Sequence, residues 1–352
     1  MIINKKILGL DLGNRNLRGT LLYKENDSII LYKYFSHDLA SGNDQFPEKN
    51  DLFENLKICL NVHELNKSIT ILGIGNNMRS LDLLQLPIIP EDELDSAIES
   101  ELENKLLTNP QNLCYDFYTI RNTLPETSNY NQFKLFYTEK NIIFEMIKSI
   151  KSVSLKPIVI DAEILALSTI VVFNNYVTEN KSHIIIDMGE NHTTIGLQIG
   201  DQLIHHHTLI HSIGSITKKL NDDFAIKYKQ SELYKKLLNN DNPNDKIENI
   251  KALETLQNTY VEILNEIQIK IDSFSSYFEK YPLDTIFFFG GGHELIDCCK
   301  IFKERYNVNV ITPNPFKNIN IHQYLKYAPN DIILKRPHSM AVAVGFALRG
   351  LL

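Results

Sequence analysis

The sequence predicts an α/β protein of two similar lobes, with a small α+β unit inserted in the first. Three observations carry that expectation. The buried, strand-like run Leu8-Gly9-Leu10-Asp11-Leu12-Gly13 recurs as Ile184-Ile185-Ile186-Asp187-Met188-Gly189. Each ends in Asp-x-Gly and leads into a hairpin pattern, and positions 11 and 187 lie 176 residues apart in a chain of 352. A repeat at half the chain length is the mark of an internal duplication. Between the copies, Pro87 and Pro90 set off a block with its own helix and strands.

The first lobe opens with strands at Ile7 to Asp11, Leu17 to Tyr23 and Ile29 to Phe35, where turn residues 24–28 supply hairpin chemistry. A polar loop from Asp38 to Asn50, a helix at Leu52 to Val62 and a strand at Ile69 to Ile74 follow. The inserted block starts a helix at Pro90, with Glu91, Asp92 and Glu93 complementing the helix dipole. Leu94, Ala97, Ile98, Leu102 and Leu106 keep 3/4 spacing, so one face is buried and Asp95, Glu99, Glu101 and Glu103 form an outer acidic face. Strands at 112–121 and 132–138 and a helix at 141–151 complete it.

Strand 157–161 and helix 162–175 lead into the second copy: strand 183–187, then a hairpin of 193–199 and 202–209 turning at Gly200-Asp201. A polar helical stretch and an Asn/Asp-rich loop at 239–249 precede a long helix at 251–280, with Leu253, Leu256, Tyr260, Ile263, Ile267, Ile271, Phe274 and Phe278 on one stripe. Strand 285–289, Gly290-Gly291-Gly292, a helix to Tyr306, strand 308–311 and a small-residue helix at 339–352 end the chain.

Composition bounds the function. Hydrophobic residues are 43% and charged residues 22%, ordinary for a globular chain of about two domains. A net charge of −7 argues against a protein that coats nucleic acid or anionic lipid. Cys59, Cys114, Cys298 and Cys299 have no metal or redox spacing and read as buried hydrophobes in a reducing compartment. No secretory leader and no apolar run of about 18 residues is found, so a cytoplasmic location without direct membrane insertion is expected. His205-His206-His207 lie along one strand, where neighbours alternate faces, so the three do not converge on one ion.

The chemistry expected of the repeat follows from geometry. A tight strand–turn–strand with Gly admits phosphate oxygens to backbone N–H groups, and an acid at the strand end can hold hydrated Mg²⁺. Asp11 and Asp187 are therefore the candidate metal residues, and Gly13 and Gly189 the candidate phosphate turns. The Gly290-Gly291-Gly292 site, between a Phe-rich strand and a helix, permits close approach of a nucleotide.

These motifs, in this order, resemble the actin-like (ribonuclease-H-like) ATPase superfamily. Asp11-x-Gly13 with Asn14, Arg15 and Arg18 looks like its first phosphate motif. Asp187-x-Gly189 with Glu190, Thr193 and Thr194 looks like the second, and Phe288-Phe289-Gly290-Gly291-Gly292 the adenosine motif. The resemblance implies ATP and Mg²⁺ as cofactors, and catalytic roles for Asp187 and for Glu163, which would sit where an attacking water is positioned. Helix 162–175 and the terminal Ala341-Val342-Ala343-Val344-Gly345 helix look like the two helices of the interlobe hinge.

Closer matches point to one branch. Leu84-Gln85-Leu86-Pro87-x-x-Pro90-x-x-Glu93-Leu94-x-x-Ala97-Ile98, then Tyr115-Asp116-Phe117, and the ending Ala341-Val342-Ala343-Val344-Gly345-x-Ala347-Leu348-Arg349 resemble the PilM family of type IV pilus assembly. That likeness implies a first lobe at 1–80 completed by about 151–176 and 335–352, an inserted FtsA-type α+β subdomain at 81–150, and a second lobe at 177–334 with a helical subdomain at about 210–282. It implies a place at the inner membrane through a protein partner. It also implies capture of the N-terminal peptide of PilN beside the inserted subdomain, nucleotide-coupled assembly, other pilus platform proteins as partners and self-association. The turn Asn14-Arg15-Asn16 stands where relatives carry small hydroxyl residues or Gly, and Glu101 to Pro110 replaces their aromatic signature, which points to ATP binding with weak or absent hydrolysis. The alternative is an FtsA-like division protein or another actin-like scaffold with a decayed nucleotide site. No motif specifies a sugar-kinase base or a chaperone substrate domain, and no terminal amphipathic helix of the FtsA kind follows Arg349.

Overall fold

The computed structural model describes residues 5–13, 15–39, 49–121, 129–227, 230–231, 235, 250–292, 298–322 and 336–352. Loop 239–249, most of the loop beginning at Asp38, and Asn14 lie outside them. Two sheets carry the duplication. In the first, β1 (Lys6–Leu12), β2 (Asn16–Glu25) and β3 (Ser28–Asp38) form an antiparallel meander, and β4 (Ile69–Gly73) pairs parallel with β1. In the second, β9 (Ser182–Met188), β10 (Thr193–Ile199) and β11 (Gln202–Leu209) form the meander, and β12 (Leu283–Gly290) pairs parallel with β9. Adding β8 (Lys156–Asp161) and β13 (Asn309–Ile311), the orders are β3-β2-β1-β4-β8 and β11-β10-β9-β12-β13, the same connectivity twice. In the first sheet one further strand has no counterpart in the sequence reading: β14 (Ile319–Ile321) adds to the outer edge of β3, too short to show a period.

Two helices pack on each other between these sheets: α4 (Glu163–Phe173) and α9 (Ala341–Arg349). A Cβ at Gly345 would lie 2.2 Å from the carbonyl oxygen of Ala166, so only glycine lets the two backbones come this close. Their apolar side chains share one core with Ile7 and Leu22 of the first sheet and Ile185, Leu203, Phe287 and Phe289 of the second. The lobes are thus joined through a continuous hydrophobic layer.

A third sheet, β5 (Arg79–Pro87), β7 (Tyr130–Glu139) and β6 (Leu113–Ile120) in that order, branches from the first lobe between β4 and β8. Its strand β5 was not foreseen: Asp82 and a bulge between Leu81 and Leu84, with Leu83 at φ 54°, break the alternation that announces a strand. On one face lies α2 (Glu91–Leu106), whose Ile98 and Leu102 pack with Leu84, Leu86, Phe133 and Leu135. Alternation along β7 sends Lys134 and Phe136 to the opposite face, which lies against the second lobe. α3 (Lys140–Ser152) returns the chain to β8, and α1 (Lys49–Val62) covers β1 and β4.

The stripe expected to run unbroken from 251 to 280 is instead two helices. In addition to α5 (Ile213–Phe224), the second lobe carries α6 (Ile250–Asp272) and α7 (Ser275–Lys280), with Phe274 between them at φ −92°, ψ 7°. The Ser273 hydroxyl donates to the Lys270 carbonyl (2.6 Å) and the Phe274 N–H to Ile271 (3.0 Å), so the last turn tightens and the axis breaks. α8 (Cys298–Tyr306) packs Phe302 edge-on to Phe288. Cys59 and Cys298 are buried as expected, whereas Cys114 and Cys299 are only half-buried, because each sits at the margin of its element's core face.

Candidate functional site

The two acid-tipped hairpins are built to one pattern. Asp11 pairs across β1–β2 with Arg18 and Leu12 with Leu17; Asp187 pairs across β9–β10 with Thr194 and Met188 with Thr193. Both turns therefore have the same length and put their acids at the same register position. Asp11 and Asp187 come close enough at the junction of the lobes to act on each other electrostatically. Glu163, at the N-terminus of α4, joins them, and its carboxylate accepts from His192 Nε2 at 3.2 Å. Three acids from three elements thus meet two cations, Arg18 and His192.

Electrostatics follow from burial and crowding. Burial pushes the Asp11 carboxyl up to about 6 from 3.8, with Arg18 opposing and Glu163 adding to the rise. Burial likewise pushes Asp187 up to about 7, and the charges of Glu163 and Asp11 raise it further against His192 and Arg18. Burial alone would lower the His192 imidazole, yet its hydrogen bond to Glu163 and the charges of Glu163, Asp187 and Asp11 lift it above its ordinary value. Arg18 Nη1 donates to Asp11 Oδ2 at 3.1 Å, whereas the cross-strand partner of Asp187 is an uncharged threonine. The junction is therefore short of positive charge.

Several buried polar atoms here lack a hydrogen-bond partner among the described residues: Arg18 Nε, His192 Nδ1, Thr193 Oγ1 and Glu190 Oε1, the last 3.9 Å from Lys235 Nζ. Such orphans are costly in a closed core and ordinary where a polar ligand completes the site. Around them the backbone is held tightly. Gly189 N–H donates to His192 O (3.0 Å), and Ile213 and Gly214 at the start of α5 donate to Gly189 O (3.2 Å) and Glu190 O (2.8 Å). Gly290, at φ +78°, brings the third glycine segment against the acids: a Cβ there would lie 2.4 Å from Met188 O and 2.7 Å from Asp187 Oδ1. Gly291 is exposed, with open space where a Cβ would stand, and Gly292 packs on Ile213 with its carbonyl accepting from Tyr260 OH (2.9 Å).

Asp11, Gly13, Arg18, Glu163, Asp187, Gly189, Glu190, Thr193 and Gly290 thus gather around one junction, with Gly291 and Gly292 on its rim. Arg15 lies in the first turn, half-buried, its carbonyl accepting from Leu39 N–H (2.8 Å), and Asn14 is outside the described residues. Sequence reading missed His192 and Tyr260. His192 lies inside a turn already singled out, and its ionisable ring next to Thr193 was an available signal. Tyr260 reads only as one more apolar position on a helical stripe, so nothing local announced its hydroxyl.

A cavity lies beside the third sheet. Its volume is about 460 Å³, and its lining includes Arg79 on β5, Leu106 on α2, Tyr137 and Glu139 on β7, and Lys140 and Ile142 on α3. Its mixture of apolar walls and opposite charges suits an amphipathic peptide.

Comparison with known proteins agrees with this architecture. The solved PilM-PilN type IV pilus biogenesis complex includes a chain 18% identical, superposing with a TM-score of 0.81 over 98% of both chains. The ethanolamine utilization protein EutJ from Carboxydothermus hydrogenoformans is 10% identical, with a TM-score of 0.50 over 97% of this chain and 88% of its own. The two-lobed fold is the actin-like ATPase fold. No curated protein matches the sequence. Residues 86–351 match the family described as type IV pilus assembly protein PilM, and the chain belongs to that family.

Proposed function

We propose that this protein is the nucleotide-binding component of a pilus assembly platform, holding ATP with Mg²⁺ between its lobes and the N-terminal peptide of PilN beside its third sheet. The observation that carries the first part is the pair of register-matched hairpins that place Asp11 and Asp187 at one buried junction deficient in positive charge. The residues fit a hydrated cation and a phosphate chain. Asp11 and Asp187 would hold Mg²⁺ through water, since among the described residues no group of three or more His, Cys, Asp or Glu is arranged for direct coordination. Gly13 and Gly189, lacking side chains, would admit the phosphates, Arg18 Nε, His192 Nδ1 and Thr193 Oγ1, unpartnered among the described residues, would meet their oxygens, and Gly290 to Gly292 would face the adenosine. Bound Mg²⁺ would neutralise charge on the phosphates. The bulky Arg15 in the first phosphate turn, where relatives carry small residues, supports binding with little turnover.

The groove reading rests on the cavity beside β5 and β7 and on family membership, because the similar solved chain is described in complex with PilN. The inserted unit, 81–150, would then be the partner-binding part, and the lobes 1–80 with 151–176 and 335–352, and 177–334, the nucleotide-binding part. Among the described residues no helix is long and apolar enough to cross a membrane, which suits attachment to the inner membrane through PilN.

Calorimetric titration with ATP and Mg²⁺, together with phosphate release, tests the first part. Wild type should bind with negligible phosphate release, and Asp11→Ala should weaken binding roughly 100-fold while the protein stays folded. Retained affinity in that variant would refute the assignment. One observation favours a second reading, a scaffold without nucleotide: Arg18 already neutralises Asp11 at 3.1 Å, and failure of wild type to bind would select it. For the groove, Arg79→Glu should abolish capture of a synthetic peptide of the first dozen or so PilN residues.

A further inference from the structure

The third sheet belongs to the first lobe by connectivity, yet its polar face is fastened to the second. Lys134 on β7 is fully buried, and its ammonium pairs with Asp82 on β5. The same ammonium donates to Ser80 Oγ (3.2 Å) and to Nδ1 of His206 on β11 (3.3 Å). Ser80 Oγ also lies 2.9 Å from that His206 nitrogen. Asp82 Oδ2 reaches His205 Nδ1 (3.1 Å), whose Nε2 meets Tyr277 OH on α7 (2.8 Å). His206 stacks on Phe136 (5.3 Å between centroids) and His205 on Phe274 (5.6 Å). The adjacent histidines stack on different rings yet meet the two ends of one Lys134–Asp82 pair, which explains a His run that the nucleotide site does not use.

This cluster sits between the interlobe junction and the groove beside the third sheet. β11 is the hairpin neighbour of β10, whose first residue is Thr193 of the second phosphate turn. On the other side, Ser80 follows Arg79 of the groove on β5, and Lys134 and Phe136 precede Tyr137 and Glu139 of the groove on β7. A rigid-body movement of the second lobe therefore drags β5 and β7 through the contacts that cross to β11, from Lys134 and Ser80 to His206 and from Asp82 to His205, and the fully buried Lys134 ammonium has no water to replace its share of them. The exposed Arg121–Asp201 pair (2.7 Å) at the same interface is replaceable by water and carries little.

We propose that Lys134, Asp82, His205 and His206 are positioning residues for the peptide groove, transmitting closure of the lobes on nucleotide into the groove's affinity for its peptide. This rests on the nucleotide and peptide sites proposed above. The test uses the full chain and a labelled synthetic peptide of the first dozen or so PilN residues, titrated with and without saturating ATP and Mg²⁺. In wild type the nucleotide should shift peptide affinity roughly tenfold, a coupling of ordinary size. The double variant His205→Phe/His206→Phe keeps both ring stacks and should bind each ligand alone within about threefold of wild type, while the ratio of the two peptide affinities falls to one. Arg121→Ala should keep the wild-type ratio. A double variant that retains the ratio, or a wild type whose ratio is one, overturns the inference while leaving both sites standing. Failure of wild type to bind either ligand alone refutes the site reading first and this inference with it. If the double variant unfolds, Asp82→Asn replaces it, and a wild-type ratio there is equally decisive against the proposal.

Discussion

Two charge clusters in this molecule differ in how their charges are answered. At the interlobe junction Asp11, Glu163 and Asp187 outnumber Arg18 and His192, and Arg18 Nε, His192 Nδ1 and Thr193 Oγ1 lack partners among the described residues. At the face of the third sheet, Lys134, Asp82, His205 and His206 each meet a partner within the chain. Opposite bookkeeping separates a place that awaits a ligand from a joint that is already complete around the buried Lys134 ammonium. The first is unfavourable until something outside the chain supplies positive charge; the second is unfavourable only when one of its members is removed.

Removing a cation from each cluster should give the largest contrast. Lys134→Met removes the buried donor to Ser80 Oγ and His206 Nδ1 and should lower stability by about 2 kcal/mol in denaturant titration. Arg18→Met should cost under about 1 kcal/mol, because Asp11 can take up a proton instead. Equal losses would erase the distinction. Next, Asp187→Asn should weaken Mg²⁺-dependent ATP binding roughly 100-fold in calorimetry, while stabilising the ligand-free protein at pH 8 by relieving repulsion.

The two clusters should also have opposite pH signatures. Asp11 and Asp187 hold protons up to about 6 and 7, so the folded state binds protons that the unfolded chain, near 3.8, has released. Stability of the ligand-free protein therefore falls as pH rises from about 4 through 7. Burial, reinforced by Lys134, holds His205 near 4 and His206 near 3, so the folded state refuses protons that the unfolded chain accepts below 6.5. That contribution is lost as pH falls from 6.5 through 4 to 3, at up to about 1.4 kcal/mol per pH unit for one group. Thermal unfolding across pH should show Asp187→Asn flattening the alkaline limb and His206→Phe the acid limb; the reverse assignment would sink the account. The smallest effect is expected of Thr193→Val, which exchanges an unpartnered buried hydroxyl for a methyl group. It should stabilise the ligand-free protein by up to about 1 kcal/mol and weaken nucleotide binding only severalfold.

Much of the fold was legible because its signals are local. The runs at Leu8 to Gly13 and Ile184 to Gly189 are continuous apolar strands, and two sheets of identical order grew from them. The small residues of Ala341 to Gly345 marked a close helix contact, and Gly345 meets Ala166 as such a contact requires. β5 escaped notice because its bulge and Asp82 disguise the period, and the break at Phe274 escaped because Ser273 acts through a single hydroxyl. His192 was within reach of sequence reasoning, whereas Tyr260 and Lys134 were not. A lysine at an alternating strand position reads as solvent-facing until a second lobe is found covering it.

Sequence alone determined the duplication, the strand ends that carry the acids and the glycines beside them, since each is written in a few contiguous residues whose backbone preferences are intrinsic. Only the tertiary structure decided which charges are answered and which are not. That depends on distances between segments more than a hundred residues apart, such as Asp82 and His205, and no local pattern encodes them.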